Sequence, residues 1–239
     1  MNEFLELIEK RKSDRGLFDS ERKIPKEDLE KIMEAARWTP TAHNMQNFEI
    51  IVVDDRKLMI MISEIKRPPD LTFIIENYQQ LSFSENELRQ KKVGILGNMF
   101  PNSWQTPNPK LEDIKNEDRS LYMTKQIISS STLLFMLYDP GRRAPASEND
   151  FLGILSLGCA MENIWLMANS LSIGVHIVSS LSGKEVEKEI KKILSIPDNF
   201  IIGITMRLGY PLAPVDYLRV RRDIKDFTHR NGYKNKRLI

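Results

Sequence analysis

The chain has 239 residues, 41% hydrophobic and 28% charged, with 35 basic and 33 acidic side chains and a formal net charge of +2. That balance argues against nucleic acid or a membrane surface as partner, and the length allows a sizeable core. The lone cysteine, Cys159, excludes an intrachain disulfide and fits a reducing compartment. The start "MNEFLELIEK" carries acids where a secretory leader has cations, so the expected location is cytoplasmic.

"FLELIEK" sets Phe4, Leu5 and Ile8 on one helical face, with Lys10, Arg11 and Lys12 at the end where the helix dipole favours cations. A second helix starts near Pro25, with Glu27 and Asp28 in its first turn. It keeps apolar spacing through Leu29, Ile32, Met33 and Ala36 to Arg37, and Pro40 prevents its continuation. "FEIIVV" (Phe48–Val53) reads as a strand whose apolar character places it centrally in a sheet. Asp54 or Asp55 caps the next helix, with Leu58, Met61, Ile62 and Ile65 on one face, and "RPPD" ends it.

The middle offers helical pieces at about 71–81 and 85–92, then "GNMFPNSWQTPNPK", a stretch long enough for a lid or binding loop. Its Phe100 and Trp104 either stack on a substrate or pack conventionally. A helix over about 118–130 leads to the strand "TLLFMLYD" and the loop "PGRRAPASEND". A long apolar helix follows over about 150–171, where Gly153 and Gly158 allow close packing on another helix. Glu162, Asn163 and Asn169 interrupt it, so this region reads as a buried helix and strand and not a membrane span.

"GVHIVSS" is a strand with a structural His176. Ser182 and Glu185 form a capping box for a helix with Val186, Ile190, Ile193 and Leu194 on one face. "IPDN" turns into the last strand, "FIIGITMRLGYP", and a polar, basic tail follows. Cys159 is expected to be a buried small hydrophobe, and Trp38 and Trp165 core or subunit contacts. The pattern fits four or five strands between helical layers. No repeat or linker is evident, so the chain reads as one domain with an insert at about 66–118 and a C-terminal extension at about 212–239.

No G-x-G-x-x-G, P-loop, G-x-S-x-G or H-E-x-x-H occurs, and His43, His176 and His229 are far apart, so neither a metal centre nor a protein nucleophile is indicated. Three polar stretches remain: "RKSDR" (11–15), "PTAHNMQ" (40–46) and "RVRR" (219–222). Singly, they read as a dipole-matched helix end, a turn and a solvated tail. The second, however, carries more hydrogen-bonding side chains than a connection needs, which suggests a polar ligand.

In this order the stretches resemble the FMN-dependent nitroreductase family. The segments that carry the likeness are "IPKEDLEKIMEAARWTPTAHNMQNFEIIVV", "GCAMENIWLMANSLSIGVHIVSSLS" and "IPDNFIIGITMRLGYP". The resemblance implies an α+β, three-layer α/β/α fold with a central, mostly antiparallel four- or five-stranded sheet. It implies a homodimer with FMN sites at the subunit interface. Hydride would pass from NADH or NADPH through the flavin to a small-molecule acceptor (a nitroaromatic, a quinone or another flavin) by a ping-pong scheme.

By position, the resemblance assigns Arg11 to the phosphate and ribityl chain, with Lys12 and Ser13 beside it, and Arg15 to electrostatic tuning of the flavin ring. It assigns Pro40, Thr41, His43, Asn44 and Gln46 to a wall offered by the other subunit. Ser179 and Ser180 match a pair, often glycines, whose backbone faces the ring, and Arg219, Arg221 and Arg222 match tail cations that close on the phosphate. Thr41 replaces a usual serine, and Ser156 stands where many members have aspartate. Two other functions are weighed: a specialised enzyme of this fold such as a reductive dehalogenase, with Glu76, Tyr78 and Lys91 or Lys92 on a lid, and a non-catalytic polyanion-binding protein.

Overall fold

The computed structural model describes residues 2–67, 72, 75–97, 116–145, 150–181, 183–213 and 218–236, the side chains of 77–79 and 116–120 excepted. The chain divides into two compact units: residues 1–67 with 120–215, and residues 68–119 with 216–239.

The first unit opens with α1 (Glu3–Lys10), whose N-cap Asn2 accepts bonds from the Phe4 and Leu5 amides. Then come α2 (Lys26–Arg37), a 3-10 turn (Ala42–Asn44), β1 (Phe48–Val53) and α3 (Arg56–Ser63), capped by Asp55. The long helices and strands between residues 120 and 215 belong to it too, one of them starting at Asn116 in the other unit, where β2 (Ser82–Phe83), α4 (Glu85–Lys91) and β3 (Ile95–Leu96) also lie. The elements of this stretch are α5 (Asn116–Ile128), β4 (Thr132–Tyr138), α6 (Phe151–Ser170), β5 (Gly174–Ile177), a 3-10 turn (Ser179–Leu181), α7 (Lys184–Leu194) and β6 (Ile201–Gly209).

Four strands form one antiparallel sheet in the order β1-β4-β6-β5. On one face Leu134, Met136, Met206, Leu208 and Val175 pack against Ile32 and Ala36 of α2 and Leu157, Ala160, Ile164 and Ala168 of α6. On the other, Leu133, Phe135, Leu137 and Ile202 meet Met59 and Ile62 of α3, Ile127 of α5, and Val186 and Ile190 of α7. This is the three-layer α/β/α arrangement expected. All seven residues of β4 are buried because both faces are covered and both neighbours are present.

Several expectations are corrected. The strand β1 is an edge of the chain's sheet, not central. An apolar run reports that both faces are covered, and says nothing of how many neighbours complete the hydrogen-bond ladder. The buried face of α3 runs through Met59 and Ile62, while Met61 is half exposed. Gly153 packs on the sheet and not on a helix: a Cβ there would lie 2.3 Å from the Tyr138 ring, and Gly158 has open space. The N-cap of α7 is Gly183, without a side-chain cap, and Ser182 lies outside the described residues. Cys159 is exposed.

The second unit contains a π-helical turn (Ile75–Gln80), β2 (Ser82–Phe83), α4 (Glu85–Lys91), β3 (Ile95–Leu96) and, from the tail, α8 (Ile224–Phe227). The two short strands pair in parallel and were not foreseen. Insert and tail meet within this unit, where Lys92 Nζ lies 2.7 Å from Asp223 Oδ2. Phe100, Trp104 and the Tyr78 side chain are outside the described residues.

Candidate functional site

The basic segment leaves α1 at Arg11 and runs beside β5, where the Asp14 amide donates to the Val175 carbonyl at 2.9 Å. Gly174 makes this approach possible: a Cβ there would lie 3.1 Å from Asp14 Oδ2 and 2.9 Å from Pro211 Cγ. Arg11 is held by α6, with its Nε 3.4 Å from Glu162 Oε1 and its guanidinium 4.8 Å from the Trp165 ring. The Trp165 indole donates to the Lys12 carbonyl at 3.1 Å. Glu162 and Trp165, three residues apart, share one face of α6.

Arg15, Lys12 and Ser13 are half-buried. The Arg15 carbonyl accepts from Gln126 Nε2 at 2.5 Å and from the Tyr122 hydroxyl at 3.2 Å. Asp14 is buried beside Lys12. Burial raises its carboxyl above the ordinary value, offset in part by Lys12, the Val175 backbone bond and Arg207. A few residues thus bring together Arg11, Lys12, Arg15 and Arg207 against Asp14 and Glu162, a cationic excess at one edge of the sheet.

At the end of β5 the chain turns through Ser179 and Ser180. The Ser180 hydroxyl is buried with no hydrogen-bond partner among the described residues. A buried hydroxyl without a partner is a small cost to this turn.

The joint 40–46 has unusual backbone. His43, Asn44 and Gln46 have φ of 52°, 52° and 45°, in the left-handed region that costs a side-chain-bearing residue about 1–2 kcal/mol. The loop is braced from within: the Gln46 amide donates to Thr41 Oγ1 at 3.1 Å, and Gln46 Nε2 donates to Asn44 Oδ1 at 3.2 Å. Pro40, His43, Asn44 and Gln46 are exposed and Thr41 half-buried. Asn163 anchors the joint's base, donating to Thr39 Oγ1 at 3.1 Å and to the Ala35 carbonyl at 3.3 Å. Asn163 and Trp165 are two residues apart and point to different sides of α6. Within one chain, therefore, the helix separates the polar joint from the basic segment.

Arg219, Arg221 and Arg222 are exposed in the second unit, where the Arg222 guanidinium lies 5.6 Å from the Phe227 ring. Their cofactor role is carried by the resemblance alone.

Two residues of the site were missed in their proper weight. Arg207 of β6 is fully buried. Its Nε donates to His176 Nδ1 at 3.0 Å, Nη1 to the Gln126 carbonyl at 3.1 Å, and Nη2 to the carbonyls of Asp14 at 3.0 Å and Gly16 at 2.5 Å. The signal in the sequence is one arginine inside the otherwise apolar "FIIGITMRLGYP". His176, expected to be structural, sits opposite it on β5; burial first, then Arg207 and Arg15, push its pKa down to about 3.

Among known proteins, the chain is 26% identical over 217 residues to one from Archaeoglobus fulgidus provisionally named an NADH dehydrogenase/NAD(P)H nitroreductase, covering 91% of this chain and 90% of that one. Its fold is like that of a Bacteroides fragilis nitroreductase with bound FMN (TM-score 0.58, 20% identity, 94% and 97% of the two chains). It is also like that of the Vibrio harveyi NADPH:FMN oxidoreductase in complex with NAD+ (TM-score 0.61, 19% identity, 98% and 79%). The nitroreductase family profile matches residues 8–210, and the chain belongs to that family.

Proposed function

We propose that the protein is an FMN-dependent oxidoreductase that takes hydride from NADH or NADPH and reduces an electron-poor small molecule, a nitroaromatic, a quinone or a flavin. The observation that carries this reading is the cationic segment 11–15 lying beside β5, the strand that leads into the turn at Ser179 and Ser180. Membership of the nitroreductase family and the relatives named above support it.

The residues fit FMN in charge and in hydrogen-bonding capacity. Arg11, Lys12 and Ser13 would hold its phosphate, since a guanidinium fork and an ammonium neutralise a dianion through charge-assisted bonds. Arg15 supplies a fixed positive charge that favours negative charge developing beside it. Ser179 and Ser180 would offer main-chain groups to a polar ring edge. When bound, FMN supplies the two-electron redox chemistry that none of these side chains offers.

The reading includes a homodimer. Phe151, Ile154, Leu155 and Cys159 form an exposed stripe along α6 at helical spacing, and Phe4 and Leu5 of α1 are exposed as well. A second copy covering that stripe would also bring its own Pro40, Thr41, His43, Asn44 and Gln46 toward the basic segment, which lies across α6 from the joint of the same chain. The left-handed loop holds Asn44 and Gln46 outward, ready to bond to something outside the chain that carries them.

The test is an absorption spectrum. The purified protein, or the protein after incubation with FMN, should show the flavin bands and lose them under anaerobic addition of NADH or NADPH. A protein that stays colourless after incubation with FMN overturns the reading. Sedimentation should give a dimer, and Leu155→Glu should give monomers with weakened FMN binding.

A further inference from the structure

We propose that Arg207 is a positioning residue for the cofactor site: its guanidinium holds main-chain positions 14–16, and with them the aim of Arg15, and fixes His176 as an Nε2–H donor at the same sheet edge. The inference rests on the FMN reading for what the site holds.

Three successive carbonyls are fixed. Those of Asp14 and Gly16 accept from Arg207 Nη2, at 3.0 and 2.5 Å, and that of Arg15 between them accepts from Gln126 Nε2. Gln126 is itself tied to the clamp, because its carbonyl accepts from Arg207 Nη1 at 3.1 Å. The guanidinium therefore brackets Arg15 on both sides and links it to α5. It also lies 4.3 Å from the Phe18 ring, which closes the far side.

These four bonds run to neutral acceptors. A buried cation is expensive, and an apolar residue of similar volume often serves a strand as well or better. A planar fork that reaches several acceptors in fixed directions is what arginine provides and lysine does not. Asp14, whose pKa Arg207 lowers, is an acidic group near the cation, and what the fork adds beyond charge is direction. On the fourth side, His176 accepts at Nδ1 from Arg207 Nε at 3.0 Å, so a neutral ring carries its hydrogen on Nε2. The charged groups facing this ring are Arg207 on β6 and Arg15 on the basic segment, and both oppose its protonation.

The test uses the full chain with Arg207→Met and Arg207→Lys, each checked for folding by circular dichroism. Titration with FMN, followed by quenching of flavin fluorescence, should show the dissociation constant raised by about tenfold or more in both variants, since misplacement by about 1 Å costs a site ~100-fold. Lysine, which keeps the charge, should not rescue. In the FMN-free wild type, nitrogen-15 NMR should show His176 as the fixed Nε2–H tautomer; in Arg207→Met that preference should be lost. If wild type binds no FMN, the FMN reading fails. If wild type binds FMN and the folded variants bind it equally well, the positioning role alone fails. Should neither variant fold, a wild-type His176 without the fixed Nε2–H tautomer still overturns the clamp.

Discussion

In the first unit β4 buries all seven of its residues between two helical layers, whereas the second unit is described as a six-residue π-helical turn, two-residue strands and helices of seven and four residues. The difference lies in what stabilises each. The first unit removes large apolar areas from water on both faces of a sheet. The second relies on local devices. A capping box joins Ser84 and Glu87, Leu88 is the buried residue of α4, and an ammonium lies over a ring where Lys91 Nζ is 4.8 Å from Phe83. The candidate site residues outside the tail all belong to the first unit, so their loops are anchored on its sheet and helices.

The largest effect expected is in the sheet. Phe135→Ala removes a fully buried ring and should cost about 3–5 kcal/mol in urea unfolding. A cost below about 1 kcal/mol would show that the layered core is not what holds this unit.

Gly153→Ala tests the same core by overfilling. Its methyl would meet the buried Tyr138 ring, which must shift to admit it, so a loss of about 1–3 kcal/mol is expected, read as a lowered melting temperature. An unchanged melting temperature would mean that α6 shifts freely on β4.

Acid should report on the edge that carries the site. The pKa of His176 is about 3 in the folded chain and near 6.5 when unfolded, so the unfolded state binds more protons between those values. Stability should therefore fall as pH drops below about 6.5, by up to ~1.4 kcal/mol per pH unit. Asp14 has the opposite sign, because its folded pKa is raised: its contribution is present at low pH and lost as pH rises through that value. The histidine slope is thus clearest at about pH 5–6.5, and His176→Gln should flatten it.

The smallest effect belongs to the second unit. Lys92 lowers the pKa of Asp223 through a hydrogen bond and then its charge, so this contact contributes above the ordinary carboxylate range and is lost as pH falls through the lowered value. Asp223 is exposed and Lys92 half-buried, and Lys92→Ala should leave global unfolding nearly unchanged. Amides of α4 should exchange with solvent faster than those of β4, and equal protection would erase the contrast between the units.

Local physics was legible in the chain before any packing was considered. Apolar spacing marks α2 and α6, Asp55 caps α3, and the run "TLLFMLYD" announces a strand. The motif order also identified the family and the basic segment.

What the sequence could not decide depends on neighbours. Whether β1 or β4 is central depends on ladder partners, not on apolarity. Whether Gly153 meets a helix or a strand depends on what α6 crosses. The left-handed backbone at His43, Asn44 and Gln46 is set by the fold, since no glycine signals it. The clamp around Arg207 joins residues nearly two hundred positions apart, and only tertiary structure, by burying a cation where its bonds must all be met from within, decides which carbonyls it holds.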